Sequence, residues 1–337
     1  MQRKNHLNKA IVIMISSLLC LTATAQSFRT VIHVPARNAV DKEEMEMHIG
    51  FLSDTLCYGR GTGTPGGTEA AFWIARQFRE AGLIPFGHSW GKSFRTSNGS
   101  VGHNVLGMLP GSVRTPADSY IIIAAHYDHL GILGGKAYPG ADANASGTVA
   151  MTTLAEIFCA MRDMGKVYDR NIIFVAFDAK EMDMAGSEAL WKLIDYGMLK
   201  DPLTGKSISK DKIDLMVNID QIGSTLSPIH KDREDYIIML GTNSLPKKKR
   251  TNLEVCNKVS GTDLDICLDY YGSQTFTKLF YRLSDQRIFV DNRIPAVLFT
   301  SGITMNTNKT RDTAASLDME VLKKRITLMY HWIESML

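Results

Sequence analysis

Apolar residues along this chain fall into two kinds of run. Residues 103–110, 120–126, 171–177, 214–223, 236–241 and 294–302 are short, largely continuous apolar stretches rich in Ile, Val, Leu and Phe. Such runs describe strands buried on both faces. Between them lie segments with helical spacing. Residues 41–56 place Met45, Ile49, Phe51 and Leu52 on the apolar side, with Asp41 as the cap. Residues 68–81 form an amphipathic segment stopped by Gly82, and 146–164, the second half of 178–194, and 321–337 read as further helices. Strands alternating with helices predict βαβ units. The expected fold class is α/β, three-layered, with a mostly parallel (mixed) central sheet and helices on both faces. Residues 26–40 read as a loose entry segment, and Lys247 to Arg250 as a solvated loop after Pro246.

The chain's beginning stands apart from this pattern. Arg3, Lys4 and Lys9 precede an apolar run over 10–21, and Ala23, Thr24 and Ala25 make a small-x-small cleavage site. The run is too short to span a bilayer, and bulky Leu19 disfavours a lipid anchor on Cys20. Residues 1–25 are therefore expected to be a signal peptide, with 26–337 a single domain exported to the periplasm or beyond the cell. The whole chain carries a formal charge of +3, from 38 Lys and Arg against 35 Asp and Glu. The leader holds three of those cations and no acid, so the mature chain is neutral. Neither nucleic acid nor an anionic membrane is an expected partner, and no membrane span is predicted. Export permits disulfides, and Cys256 with Cys267 is the closest pair in sequence. Four thiols, on Cys57, Cys159, Cys256 and Cys267, are the alternative.

Candidate chemistry concentrates at strand ends. The strand over 120–126 runs into His126, Asp128 and His129, and a small-residue loop over 139–147 then opens a helix. In α/β sheets ligands bind outside the carboxyl ends of strands. The glycine-rich stretch over 58–67 lacks the Lys-Ser/Thr of a phosphate loop and reads as a tight turn.

Taken in order, the blocks GRGTGTPGG, HNVLGMLPG, AAHYDHLG, GADANASG, IIFVAFDAKE, VNIDQIG and IPAVLFTSG, with a downstream Arg-Asp-Thr, cover nearly all of the mature chain. Together they resemble the zinc exopeptidases of metallopeptidase family 28, secreted bacterial aminopeptidases whose relatives include glutaminyl cyclases. The resemblance implies two metals at the carboxyl edge of the sheet, sharing a water whose pKa they lower, with a Glu taking its proton. It assigns His126 as the first metal ligand, with Asp128 orienting its ring, and Glu181 and Asp220 as further ligands. The bridging carboxylate falls on Ala143, the general base on Lys180, and the last histidine ligand on Asn308. A block usually reading Ser-Asp-His is here Ser284-Asp285-Gln286.

Three positions of the expected site are thus changed. Asp142, one residue early in the loop, is a candidate substitute for the bridge. His129 is not expected to be a ligand but to make a structural hydrogen bond. Only Glu181 and Asp220 remain of four carboxylates, and Lys180 adds a cation. Like charges about 4 Å apart repel by roughly 4 kcal/mol at intermediate dielectric. The site is therefore expected to hold at most one zinc ion, weakly, or none, and Lys180 is a candidate substitute cation. The leading expectation is a pseudopeptidase that binds a peptide or cell-envelope ligand. The alternative is an active aminopeptidase working with a single metal on His126 and Asp220.

Overall fold

The computed structural model describes residues 40–54, 56–111, 118–230 and 232–337. The expected leader over 1–25 and most of the entry segment over 26–40 lie outside the described residues. The described chain is built on a nine-stranded sheet: β1 (Ile84–Pro85), β2 (Gly91–Arg95), β3 (Val101–Leu109), β4 (Tyr120–His126), β7 (Asn171–Phe177), β8 (Ile213–Ile219), β9 (Tyr236–Leu240), β10 (Asp265–Cys267) and β11 (Ala296–Thr300). A separate two-stranded hairpin, β5 (Ile132–Leu133) with β6 (Lys136–Ala137), projects from the loop after β4. The strand order is β1-β3-β7-β4-β8-β11-β9-β10, with β2 also on β3. The centre, β7-β4-β8-β11, is parallel. Its flanks turn antiparallel where β3 meets β7 and β9 meets β11.

Helices cover both faces, which explains the unbroken apolar strands: β4 and β7 are buried at every position. Alternate residues nevertheless serve different layers. Ile122, Ala124, Ile173, Val175 and Phe177 share a core cluster with Leu190, Trp191 and Phe289. Facing the opposite way, Phe174 packs on Phe158, and Phe299 meets Trp332 edge-on.

The helices are α1 (Lys42–Ser53), α2 (Pro65–Glu80), α3 (Gly147–Asp163), α4 (Ala185–Asp195), α5 (Lys247–Ser260), α6 (Gln274–Tyr281), α7 (Gln286–Asp291) and α8 (Met319–Glu334). Asp41 caps α1 by accepting from Glu43 and Glu44 N–H, as the sequence indicates. α2 begins three residues before the expected start. Pro65 takes the first position, where its missing N–H costs nothing, and Thr64 caps it. None of the described helices is long and apolar enough to cross a membrane.

One expectation is overturned. Lys247 to Arg250 are not a loop but the first turn of α5. Four cations at a helix N-terminus oppose the macrodipole, so the charge run misleads. Leu253 and Cys256, one turn apart, hold the helix by their burial, and the Trp332 indole donates to Lys249 O at 3.3 Å. All four cysteines of the described chain are free: Cys57, Cys159 and Cys256 are buried and Cys267 is half-buried.

The closing helix carries a measurable pH dependence. Glu334 takes Lys166 at 2.9 Å and the Tyr330 hydroxyl at 3.0 Å. Burial opposes its charge, but His331, Lys166 and Tyr330 outweigh that and lower its pKa to about 2. A depressed carboxylate stabilises the fold fully above its unfolded value, and the contribution is lost as pH falls toward the folded value. Glu334→Gln is expected to remove on the order of 2 kcal/mol of stability at neutral pH. The deficit should shrink on acidification through the range between pKa about 4.5 and about 2. Urea midpoints of both proteins across that range measure it.

Candidate functional site

Three neighbouring strands deliver the site. β7, β4 and β8 run in one direction, with His126 opposite Phe177 and Ala124 opposite Asn218. Their carboxyl ends therefore open into one place. His126 ends β4, Lys180 and Glu181 follow β7, and Asp220 follows β8. His126 Nε2 lies 3.3 Å from Asp220 Oδ1. The approach misses hydrogen-bond geometry, so this is an ion pair. Lys180 Nζ donates to Glu181 Oε1 at 3.2 Å and lies 3.9 Å from Asp220 Oδ2.

Asp128 binds more than the ring beside it. Its Oδ1 is 3.5 Å from His126 Nδ1, and its two oxygens accept the Lys180 and Glu181 N–H groups, each at 3.0 Å. The carboxylate thus fixes the loop after β7, while His126 Nδ1 is hydrogen-bonded to the Asp128 main-chain carbonyl at 3.1 Å. Ser284 donates to Asp220 Oδ2 at 2.5 Å, and Asn218 Nδ2 ties Ser284 and Gln286 together.

The charges are strongly coupled. Burial opposes the imidazolium of His126, but Asp220 and Asp128 outweigh it and raise its pKa to about 10. Burial also opposes the Lys180 ammonium, and Asp220 and Glu181 overcome it, holding its pKa above the ordinary value. Asp220 resists the same desolvation through Lys180 and His126, which keep it well below the usual carboxylate range. Asp285, buried next to Ser284, is pushed up to about 7 by desolvation.

The remaining sequence-indicated positions meet at a cavity of about 140 Å³. Ala143, Lys180, Asp220 and Asn308 all line it, so the residues expected at the bridge, base and last-histidine positions share one cavity. Phe280, Leu283, Leu298 and Ile303 form its apolar wall. A larger groove of about 590 Å³ lies between β2 and α4, but it contains none of the convergent charged groups.

Asp142 does not face the cavity. Its Oδ1 accepts the Gly223 and Ser224 N–H groups at 2.7 and 3.1 Å, and its Oδ2 accepts Gln221 Nε2 at 2.8 Å. Burial, with Asp312 nearby, raises its pKa to about 7. A residue fastened in this way closes the loop onto the segment that follows β8. Asp312 holds the same loop from the other side, accepting Asp142 and Ala143 N–H at 2.8 and 3.1 Å. His129 is also buried, but neither ring nitrogen has a partner among the described residues, contrary to the expected structural hydrogen bond. Burial and the nearby Arg60 push its pKa down to about 2, so it stays a neutral packing group against Gly140. Gly140 has φ +57°, and a Cβ there would lie 2.5 Å from that ring.

Sequence reasoning missed the residues that support these loops. Arg60 is fully buried and donates to four carbonyls, on Leu52, Tyr127, Pro139 and Gly140. Asp178 accepts Thr62 Oγ1 at 2.7 Å and His103 N at 2.9 Å, pinning the glycine-rich segment to the sheet. Their signal was present in the GRGT and FDAKE blocks, but a buried arginine or aspartate is not distinguishable from an exposed one by residue type.

These side chains do not fit two zinc ions. Ala143, where the resemblance expects the bridging carboxylate, offers only a methyl group, and the Lys180 ammonium lies against Glu181 and Asp220, the two carboxylates expected as ligands. Among the described residues, no three His, Cys, Asp or Glu side chains are grouped to hold a metal ion.

Comparison with known proteins places these features in a lineage. The model of peptidase family M28 matches residues 104–333. Leucine aminopeptidase 1 of Sclerotinia sclerotiorum is 24% identical over 185 residues, covering 49% of this chain. The chain spans less than half the length of the curated relatives it matches, 44% of this one. The LapA aminopeptidase of Legionella pneumophila superposes with a TM-score of 0.66 at 15% identity, covering 90% of this chain and 72% of that one. BSAP, a zinc aminopeptidase from Bacillus subtilis, gives 0.64 at 13% identity, covering 88% and 95%.

Proposed function

The chain belongs to peptidase family M28, and on that premise we propose that it is an exported pseudopeptidase, which keeps the aminopeptidase fold and binds peptide or cell-envelope ligands without hydrolysing them. One observation carries the reading: the Lys180 ammonium stands at the general-base position, 3.2 Å from Glu181 and 3.9 Å from Asp220. An ammonium cannot take a proton from water. It also supplies, inside the carboxylate cluster, the positive charge that a metal would otherwise bring. Lys180 thus serves as a built-in counter-ion for Asp220 and Glu181, and His126 joins the same network.

The chemistry left to this chain is binding and positioning. Asp128 holds the imidazole and the loop after β7, Ser284 orients Asp220, and Phe280, Leu283, Leu298 and Ile303 give one side of the cavity an apolar lining. Loss of a general base alone costs about 10²–10⁴-fold in rate. Loss of the metal pair removes the nucleophile too.

The second reading, a hydrolase with a single metal on His126 and Asp220, draws on His126 Nε2, which makes no hydrogen bond among the described residues and lies 3.3 Å from Asp220 Oδ1. Glu181 would complete that site, but its carboxylate accepts from Lys180 instead. Purification without chelator, followed by metal analysis and assay with aminoacyl chromogenic substrates, separates the two. The expected result is substoichiometric metal and no turnover above buffer. Turnover that EDTA abolishes would rule out the pseudopeptidase.

A further inference from the structure

The cavity's chemistry indicates which kind of chain it admits, an inference that rests on the non-hydrolysing reading above. Lys180 lines the cavity, and among the described residues its Nζ donates one hydrogen bond, to Glu181; Asp220, at 3.9 Å, lies beyond hydrogen-bond reach. An ammonium has three donors. The remaining N–H groups require acceptors from whatever enters. Asp220 itself has little left to offer a ligand cation, since Oδ1 pairs with His126 and Oδ2 accepts Ser284. An incoming free amino terminus would therefore meet a like charge and find the nearby carboxylate engaged. A ligand carboxylate fares no better, because Glu181 and Asp220 flank the lysine. An uncharged carbonyl suits the position, accepting from Lys180 without bringing a charge next to either the ammonium or the carboxylates that flank it.

The apolar wall supplies the other half. Phe280, Leu283, Leu298 and Ile303 shape a space of about 140 Å³, the scale of one aliphatic side chain. Apolar surface continues along α6: Phe276 lies one helical turn before Phe280, and Phe276 and Leu279 are 44% and 58% exposed. Tyr270 stacks on Phe280 with ring centres 4.1 Å apart, which holds that wall rigid. A chain running past the cavity in this direction stays in contact with apolar surface.

We propose that this site recognises an apolar residue flanked by uncharged amide groups, internal to a peptide or capped at its end, and disfavours a free amino terminus. Recognition would then no longer be that of an exopeptidase, whose ligand is a chain end.

Calorimetric and NMR titrations with N-acetyl-leucine amide, leucine amide and N-acetyl-leucine, at a mildly acidic pH that protonates the free amine, test this. The doubly capped ligand is expected to bind roughly tenfold more tightly than either charged one, the scale of a partly screened like-charge contact. Lys180→Glu should reverse the order of the capped ligand and leucine amide. Lys180→Met, which keeps the side chain's length and removes its charge, should raise leucine amide to at least the affinity of the capped ligand, while N-acetyl-leucine, still facing Glu181 and Asp220, stays the weakest. Equal or tighter binding of leucine amide by the natural chain overturns the proposal. So does tightest binding of N-acetyl-leucine, binding of none at millimolar concentration, or an order unmoved in a folded Lys180→Met variant. Release of ammonia from leucine amide would sink the non-hydrolysing reading alone, and the order taken from the two acetylated ligands and from pre-turnover shifts would still decide this one.

Discussion

The triple variant Ala143→Asp, Lys180→Glu and Asn308→His is expected to bind zinc and to release chromophore from aminoacyl substrates, which on the proposed reading the natural chain does not cleave. All three positions line the cavity that also holds Asp220. Replacing a cation by a carboxylate there and adding a bridge turns a self-neutralised cluster into one that requires external cations. Unit charges about 4 Å apart interact by roughly 4 kcal/mol at intermediate dielectric, so each exchange alters metal affinity by several powers of ten. Asn308 has φ +58°, a left-handed conformation that histidine also tolerates better than most residues. Hydrolysis should rise by at least about 100-fold over the natural chain, the lower bound for recovering a general base. The Lys180→Glu single variant should remain inactive, because it restores a base without the bridging ligand. Zinc titration and a rate assay on the same preparations read both effects. Absence of zinc binding by a folded triple variant would show that the cavity's backbone has moved as well as its side chains.

The second large effect is expected in stability. Arg60→Met should destabilise the fold by about 4 kcal/mol, because charged hydrogen bonds contribute roughly 1.5–3 kcal/mol each and stranded carbonyls add a desolvation cost. The guanidinium is fully buried and donates to Tyr127 O at 2.7 Å, Leu52 O at 2.5 Å, Pro139 O at 2.7 Å and Gly140 O at 2.8 Å. Those acceptors belong to α1, to the segment after His126 and to the loop that carries Ala143. Its desolvation already costs the native state, lowering its pKa to about 10. Arg60→Lys should recover only part of the loss, since an ammonium on a flexible stem cannot span the same fork. Urea denaturation reads both variants. A loss under about 1 kcal/mol for Arg60→Met would mean that the loops hold themselves without it.

The gap between these two predictions shows what could be read along the chain. Local pattern was enough for the strands: the β4 and β7 bounds match the apolar runs because strands covered on both faces show no polar interruption. It failed at α5, where four cations look like solvent but Leu253 and Cys256 decide the conformation. It failed again at the short edge elements, β1, β2 and β10, whose half-exposed residues carry no distinctive period. The candidate site was legible wherever a strand end and a motif coincide, as at His126, Lys180, Glu181 and Asp220. Asp142 was legible only as a type of residue. Its carboxylate serves Gly223, Ser224 and Gln221, which lie about 80 positions further along the chain.

The order of residues by itself settled the layered α/β architecture, since the periods of burial are local. It also fixed which residues, Ala143, Lys180 and Asn308, stand where the family resemblance expects a bridging carboxylate, a base and a histidine, since identity at a position needs no coordinates. Only the tertiary structure decided that Lys180 turns inward to Glu181 and Asp220, that Asp142 turns away, and that Arg60 fastens the loops. Direction of a side chain depends on which distant groups stand within hydrogen-bond or ion-pair reach, and those distances exist only once the strands have met.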